Sequence, residues 1–164
     1  TMLGANPDYI VAVQSAAMVV SAICIISTIV WNVRVTRRRT TVDMLLAEQT
    51  NPILLEYRSK YLHAAKAQKL EELAEMDTYY YSNESFFLVS TLNRCDLVAI
   101  GIQEGIIDEK IYKAYWRASF VRDWIRCKGA VMKRRQVRGD PELFIDFEKL
   151  ALRWYKKEDE VALH

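Results

Sequence analysis

The sequence predicts an all-α protein: one N-terminal transmembrane helix followed by a small helical bundle of about four to six helices. Three observations point there. Residues Tyr9 to Trp31 contain no Asp, Glu, Lys or Arg over 23 positions, enough at about 1.5 Å per residue to cross a hydrocarbon core about 30 Å thick. Beyond them, apolar residues recur at helical spacing behind capping residues. No stretch alternates in the manner of a strand, and no Asn-Gly or Asp-Gly hairpin turn occurs.

The expected organisation is a short extracytoplasmic N-terminus (1–8), the membrane helix (9–33), a basic juxtamembrane linker (34–40), a helical cytoplasmic domain (41–157) and a C-terminal tail (158–164). An apolar block at the front and charges behind it explain a mean hydropathy near zero in a chain that is 51% hydrophobic and 27% charged. The net charge of +2 is too small to imply nucleic acid. Cys24, Cys95 and Cys127 include no CxxC pair, so they give neither a disulfide framework nor a zinc site.

Asp8 precedes the apolar run and Arg34, Arg37, Arg38 and Arg39 follow it, which keeps the following domain in the cytoplasm. A signal peptide carries its positive charge in front instead. Tyr9 and Trp31 stand where interfacial aromatics belong. Within the run, Gln14, Ala17, Ser21, Cys24 and Thr28 follow at steps of three and four and form one narrow stripe. Such a stripe suits contact with a copy of the chain or with another membrane protein. Alternatively, its hydroxyls bond back to their own backbone.

Thr40-Thr41-Val42-Asp43 offers N-cap hydroxyls to a short amphipathic helix from Met44, which Asn51-Pro52 ends. From Ile53 to Met76 the spacing of Leu54, Tyr57, Tyr61, Ala65 and Leu73 predicts one long helix, or two with a bend, before Asp77 to Asn83 breaks the pattern. Phe86, Val89, Asn93, Leu97 and Ile100 then define the buried face of a central helix that ends at Gly101 or Gly105. On that reading the Asn93 amide is buried and fixes helix register. Asp108 caps the next helix, which runs to about Arg135 with Ile111, Ala114, Tyr115, Ala118, Val121, Ile125 and Met132 as its apolar face; Gly139 stops it. Asp140-Pro141-Glu142 restarts a final helix through Leu143, Phe147, Leu150, Ala151 and Trp154.

The segment from Leu92 to Ile102 (LNRCDLVAIGI), followed by Gly105-Ile106-Ile107-Asp108-Glu109, resembles the signature of an uncharacterised bacterial domain-of-unknown-function family numbered 4760. Thr41-Val42-Asp43-Met44-Leu45 behind a single span fits the same pattern. The resemblance runs from the anchor to about Trp124, with Cys95 and Asp96 where the family tends to carry an aromatic and Glu. It implies a bacterial or phage-related membrane protein with a helical domain, hence the inner membrane. It implies no activity, substrate or catalytic residue. Asn93, Asp96, Gly101, Gly105 and Asp108 are therefore read as a structural motif.

No catalytic, cofactor-binding or metal constellation can be assembled. His63 stands alone in a helix and His164 ends the sequence, so HExxH and Ser-His-Asp arrangements are unavailable by spacing, and no glycine pattern forms a phosphate loop. Asp96, Glu104, Asp108 and Glu109 sit at helix ends, where caps recruit acids. The marked charge feature is Lys113, Arg117, Arg122, Arg126, Lys128, Lys133, Arg134, Arg135 and Arg138, interrupted only by Asp123 and interleaved with Tyr112, Tyr115, Trp116 and Trp124. A basic aromatic helix under a membrane suits anionic lipid, an acidic protein or RNA, with nucleic acid the weakest of these. The plain alternative is a solvated face balanced by Glu71, Glu72, Glu75 and the acidic last helix. The Asn83-Glu84-Ser85 sequon is idle on the cytoplasmic side. The expected function is that of a non-enzymatic interaction or scaffold protein, a homo-oligomer or the partner of another membrane protein. A phage-bacterium conflict effector acting by oligomerisation ranks second, and an enzyme third.

Overall fold

A computed structural model describes residues 7–75 and 85–161, all helices, turns and loops with no strand among them. The expected break at Asp77 to Asn83, most of the sequon, Met76 and His164 lie outside those residues. The elements are α1 (Pro7–Thr50), α2 (Pro52–Lys66), α3 (Leu70–Glu75), α4 (Phe86–Gln103), α5 (Glu109–Arg138), α6 (Ile145–Trp154) and a four-residue α7 (Glu158–Val161).

α1 is the largest departure from the sequence reading. No new helix begins at Thr40: α1 runs unbroken for 44 residues through the arginines, a rod of about 66 Å. The reason is local, since 8–50 contains neither Gly nor Pro, and Thr41 Oγ1 donates to the Arg37 carbonyl (2.8 Å) instead of capping. The helix ends where expected. Asn51 caps α2, its side chain accepting from Ile53 N (3.0 Å) and Leu54 N (3.3 Å), and Pro52 occupies the first turn. Of the two arrangements expected after it, one long helix or two with a bend, the structure has two helices, divided at Gln68, whose φ is +55°.

α4 closes with Gly105 at φ +70°, the Gly105 N–H meeting the Ile102 carbonyl (3.1 Å) and the Ile106 N–H the Gly101 carbonyl (2.8 Å). α5 starts at its Asp108 cap and stops at left-handed Gly139, as read from sequence. Asp140-Pro141-Glu142, however, forms a turn and not a helix start. Asp140 Oδ1 accepts from Glu142 N (3.0 Å), and α6 begins only at Ile145, behind Phe144 at φ +59°. That left-handed residue turns its ring into the core.

The core lies where α5 meets α3 and α6, and where α4 meets α2 and α6. Tyr112, Phe120, Trp124, Phe147 and Trp154 form its aromatic centre, with Phe120 and Phe147 edge to face at 4.8 Å between centroids. Trp154 packs against Tyr112 and Phe120, and its Nε1 donates to Glu109 Oε1 (2.8 Å). Replacing it by Ala leaves a cavity among these rings, while Glu109 Oε1 keeps its bond from Arg153 (3.0 Å). Trp154→Ala is expected to cost about 3–5 kcal/mol, read as a fall in the urea midpoint of the full chain in mild detergent.

Candidate functional site

Where the apolar part of α1 gives way to the bundle, one carboxylate gathers the contacts. Asp108 is buried and caps α5 by accepting from Ile111 N (3.2 Å). Its other oxygen meets Arg38 Nε (3.4 Å) and Arg37 Nη2 (3.7 Å), and its N–H donates to Thr41 Oγ1 (2.8 Å). Arg37 Nη1 also donates to the Gly105 carbonyl (3.5 Å). Burial pushes the Asp108 carboxyl up, but the Ile111 N–H and the two arginines outweigh it and hold the group below the usual range. Two of the four basic residues expected to flank the membrane thus hold the bundle. Arg39 pairs with Asp43 along the helix (3.8 Å), and Arg34 is exposed.

Farther along α1, Glu48 Oε1 meets Arg94 Nη1 (3.0 Å). Arg37 and Glu48 stand eleven residues apart on α1, as do Arg94 in α4 and Gly105 in the turn just past its end, so α4 runs antiparallel to this part of α1. α5 runs parallel to it, from Asp108 beside Thr41 to Trp116 beside Glu48 and Gln49.

The stripe Gln14, Ala17, Ser21, Cys24 and Thr28 lies on one exposed side of α1. Ser21 Oγ donates to the Ala17 carbonyl and Thr28 Oγ1 to the Cys24 carbonyl, both at 2.8 Å. The hydroxyls are thereby satisfied within the helix, which leaves the Gln14 amide and the Cys24 thiol as the polar groups of the stripe without a hydrogen bond among the described residues.

The basic helix is not a free cationic surface. Arg117 grips Asp159 through two nitrogens (2.9 and 3.0 Å), Lys133 pairs with Glu75, Arg135 with Glu148 (2.8 Å), and Arg126 with Asp123 (3.8 Å). Arg134 is buried, Lys113 lies over the Trp154 ring, and Arg122, Lys128 and Arg138 complete the set. Among the interleaved aromatics, Tyr112 and Trp124 belong to the core, Trp116 is half-buried and Tyr115 is exposed. The buried face of α5 is Tyr112, Phe120, Val121, Trp124, Cys127 and Val131, so Ala114, Tyr115, Ala118 and Met132 turn outward, against the expectation.

A similar correction applies to α4. Asn93 is exposed, as are Leu97 (68%) and Ile100; the buried side carries Phe87, Leu88, Leu92, Cys95, Val98 and Ala99. With apolar residues all round the helix, spacing alone cannot choose the face. Other motif positions do structural work. Asp96 accepts from Phe147 N (2.9 Å), tying α4 to α6, and Gly101 leaves the space that Ile107 fills.

Two buried carboxylates that sequence reasoning missed are Asp123 and Asp159. Asp123 pairs with Arg58, while Tyr61 Oη donates to its carbonyl (3.2 Å); burial nevertheless pushes its carboxyl up. Asp159, in the expected tail, also accepts from Lys156 N (2.8 Å). Against the upward effect of burial, Arg117 and that N–H hold its carboxyl below the usual range. A lone acid within a basic run, as Asp123 is, was the available signal. Cys95 and Cys127 are buried, which pushes the Cys95 thiol up to about 12 and Cys127 well above its ordinary value, and neither suits a nucleophile. Among the described residues no group of His, Cys, Asp or Glu has the placement of a metal site.

Between the end of α1 and helices α2, α4 and α5 lies a cleft of about 60 Å³, lined by Glu48, Arg58, Arg94 and Trp116 with Leu54 and Tyr57 among its apolar walls. Glu48 Oε2 and Trp116 Nε1 are both buried without a hydrogen-bond partner among the described residues.

A carboxyl held below its unfolded value contributes stability above about pH 3.9, and that contribution is lost as the pH falls through the folded value. Asparagine caps helices as well as aspartate does, so Asp108→Asn removes mainly the charge. The substitution is expected to destabilise the chain by about 1 kcal/mol at neutral pH. In thermal melts at stepped pH, the difference from the unaltered chain is expected to close as acid protonates Asp108. A difference that persists in acid would mean that shape, not charge, holds the junction.

The chain belongs to the family described as Domain of unknown function (DUF4760), which it matches over residues 12–154. The match starts within the apolar part of α1 and ends at the last residue of α6, so the shared unit spans most of α1 and the bundle together. No curated protein and no solved structure matches the chain.

Proposed function

We propose that this chain is a single-pass membrane protein that assembles through α1 and presents its helical bundle to a partner in the cytoplasm, acting as a non-enzymatic scaffold. One observation carries the reading: the two sides of α1 have different occupants. Arg37, Thr41, Leu45 and Glu48 face the bundle. At about 100° per residue, the stripe from Gln14 to Thr28 lies on the opposite side. Val35, Val42 and Leu46, all exposed, fall on the same side of the helix at steps of seven, seven and four. A 44-residue helix therefore keeps one side open along most of its length.

α1 is long and apolar enough to cross a membrane; α4 also passes on length and composition, but about half of it is buried in the bundle. An apolar helix with its flank wholly exposed calls for lipid or protein around it. Gln14 in hydrocarbon gains from a hydrogen-bonding partner across a helix pair, and a copy at the same depth supplies one, since an amide both donates and accepts. The arginines after the span support a cytoplasmic bundle. Lipid contact on this reading belongs to Arg34 and Arg39. The cations from Arg126 onward stand at least about 27 Å along α5 from Asp108, well beyond the screening length of about 8 Å.

The full chain purified in mild detergent is expected to have the mass of an oligomer, and the double substitution Gln14→Leu with Ser21→Leu to shift it toward monomer. A monomer without a co-purifying partner would overturn the assembly. Expression in cells separates a scaffold from a membrane-perturbing effector. A scaffold leaves the membrane potential unchanged, whereas an oligomer that breaches the bilayer collapses it.

A further inference from the structure

We propose that the turn between α4 and α5 is a second point of membrane contact, where Ile106 enters the headgroup layer of an anionic leaflet beside Arg34 and Lys110. This contact rests on the reading of α1 as a membrane span. Beyond Arg37, α4 runs antiparallel to α1 and α5 runs parallel to it, so the turn that joins them is the end of the bundle nearest Trp31. Arg37 lies six residues past Trp31, about 9 Å along the helix, and its Nη1 reaches the Gly105 carbonyl (3.5 Å). A headgroup layer is about 5–8 Å thick on each side of the bilayer. Packed helices stand about 10 Å apart, so a tilt of about 20° toward the bundle, the average for membrane helices, lowers the turn by about 3 Å. The Ile106 side chain then meets the headgroups.

The turn holds two adjacent isoleucines with different occupations. Ile107 is buried and fills the space over Gly101, whereas Ile106 is 61% exposed. A lone exposed isoleucine is ordinary. Its place, at the end turned toward the span and among cations, is what gives this one an occupant. Asp108 is answered by Arg37 and Arg38, and Glu109 by Arg153 (3.0 Å). Arg34 and Lys110 are exposed and have no acid paired to them among the described residues, while Glu104 is the one exposed acid of the turn. Each cation beside an anionic surface strengthens attachment about fivefold.

An acidic protein would also answer the cations. The turn, however, lies within about a side chain's length of the bilayer plane, which leaves a folded partner no room beneath it. Lipid contact at Ile106, about 10 Å off the axis of α1, would hold the bundle at a fixed tilt against the leaflet.

The test is spin labelling of the full chain in vesicles of phosphatidylcholine mixed with phosphatidylglycerol, and in vesicles of phosphatidylcholine alone. Cys95 and Cys127 are buried, so a Cys24→Ser background directs the label to one introduced thiol. Ile106→Cys is compared with Ile53→Cys, an isoleucine equally exposed beyond the far end of α1, and with Val20→Cys within the span. Circular dichroism and melting verify that each labelled chain is folded. At 106 the ratio of collisions with oxygen, which concentrates in the bilayer, to collisions with a water-soluble nickel chelate is expected to be several-fold higher than at 53. It should fall when phosphatidylglycerol is omitted, and also with Lys110→Glu. A label at 106 as wet as that at 53, while the label at 20 is deep in lipid, overturns this contact and leaves the span standing. A wet label at 20 overturns the span and the contact with it. A value at 106 that neither Lys110→Glu nor the omission of phosphatidylglycerol changes overturns the recognition of anionic lipid.

Discussion

A helix of 30 residues must begin somewhere, and its first N–H groups need acceptors. In this protein the need is met by Asp108, and nearly everything about how α1 and the bundle fit together follows. The cap carboxylate, buried and ionised, requires cations, which Arg37 and Arg38 supply from α1; its own N–H requires an acceptor, which is Thr41 Oγ1. The same hydroxyl closes back on the Arg37 carbonyl, so α1 stays helical through the point of contact. With Arg37 also on the Gly105 carbonyl, the α4–α5 turn is bound to α1 by several bonds, all within one helical turn of Thr41.

What the sequence disclosed and what it withheld divide along physical lines. Features specified by neighbouring residues were legible: the Asp108 cap, the helix end at Asn51-Pro52, the stops at Gly105 and Gly139, the absence of strands among the described residues, the family motif. Features settled by the rest of the fold were not. α4 is apolar on every side, so its periodicity pointed to Asn93 and Leu97 as core when α6 and α2 cover the other face. Thr40 and Thr41 have the composition of an N-cap, but nothing in 8–50 interrupts the helix, and Thr41 serves a partner 67 residues away. Asp140-Pro141 resembles a helix start, yet the left-handed Phe144 delays α6 until its ring is in the core.

The charges show the same division. A run of nine cations in the sequence reads as a surface for an acidic partner. Folded, several of these cations are partners of the chain's own acids, drawn from α3, α5, α6 and α7. Surface pairs such as Lys133–Glu75 add little stability individually. Their effect is on the field: the bundle offers far less uncompensated positive charge than its most basic helix suggests. The polar groups left over at the α1–α2 turn are the ones that local spacing could not reveal, since Glu48, Arg94 and Trp116 come from three separate helices.

The unbroken course of α1 also sets a phase. A helix turns about 100° per residue, so the number of residues between Thr28 and Arg37 determines the azimuth at which the bundle projects from the stripe. One residue more or fewer in that interval would swing the bundle more than a quarter turn about the rod, whereas seven would restore it to within about 20°. The segment that composition presents as a loose basic connector is thus a gear of fixed pitch, in which length carries angular information that side-chain identity does not.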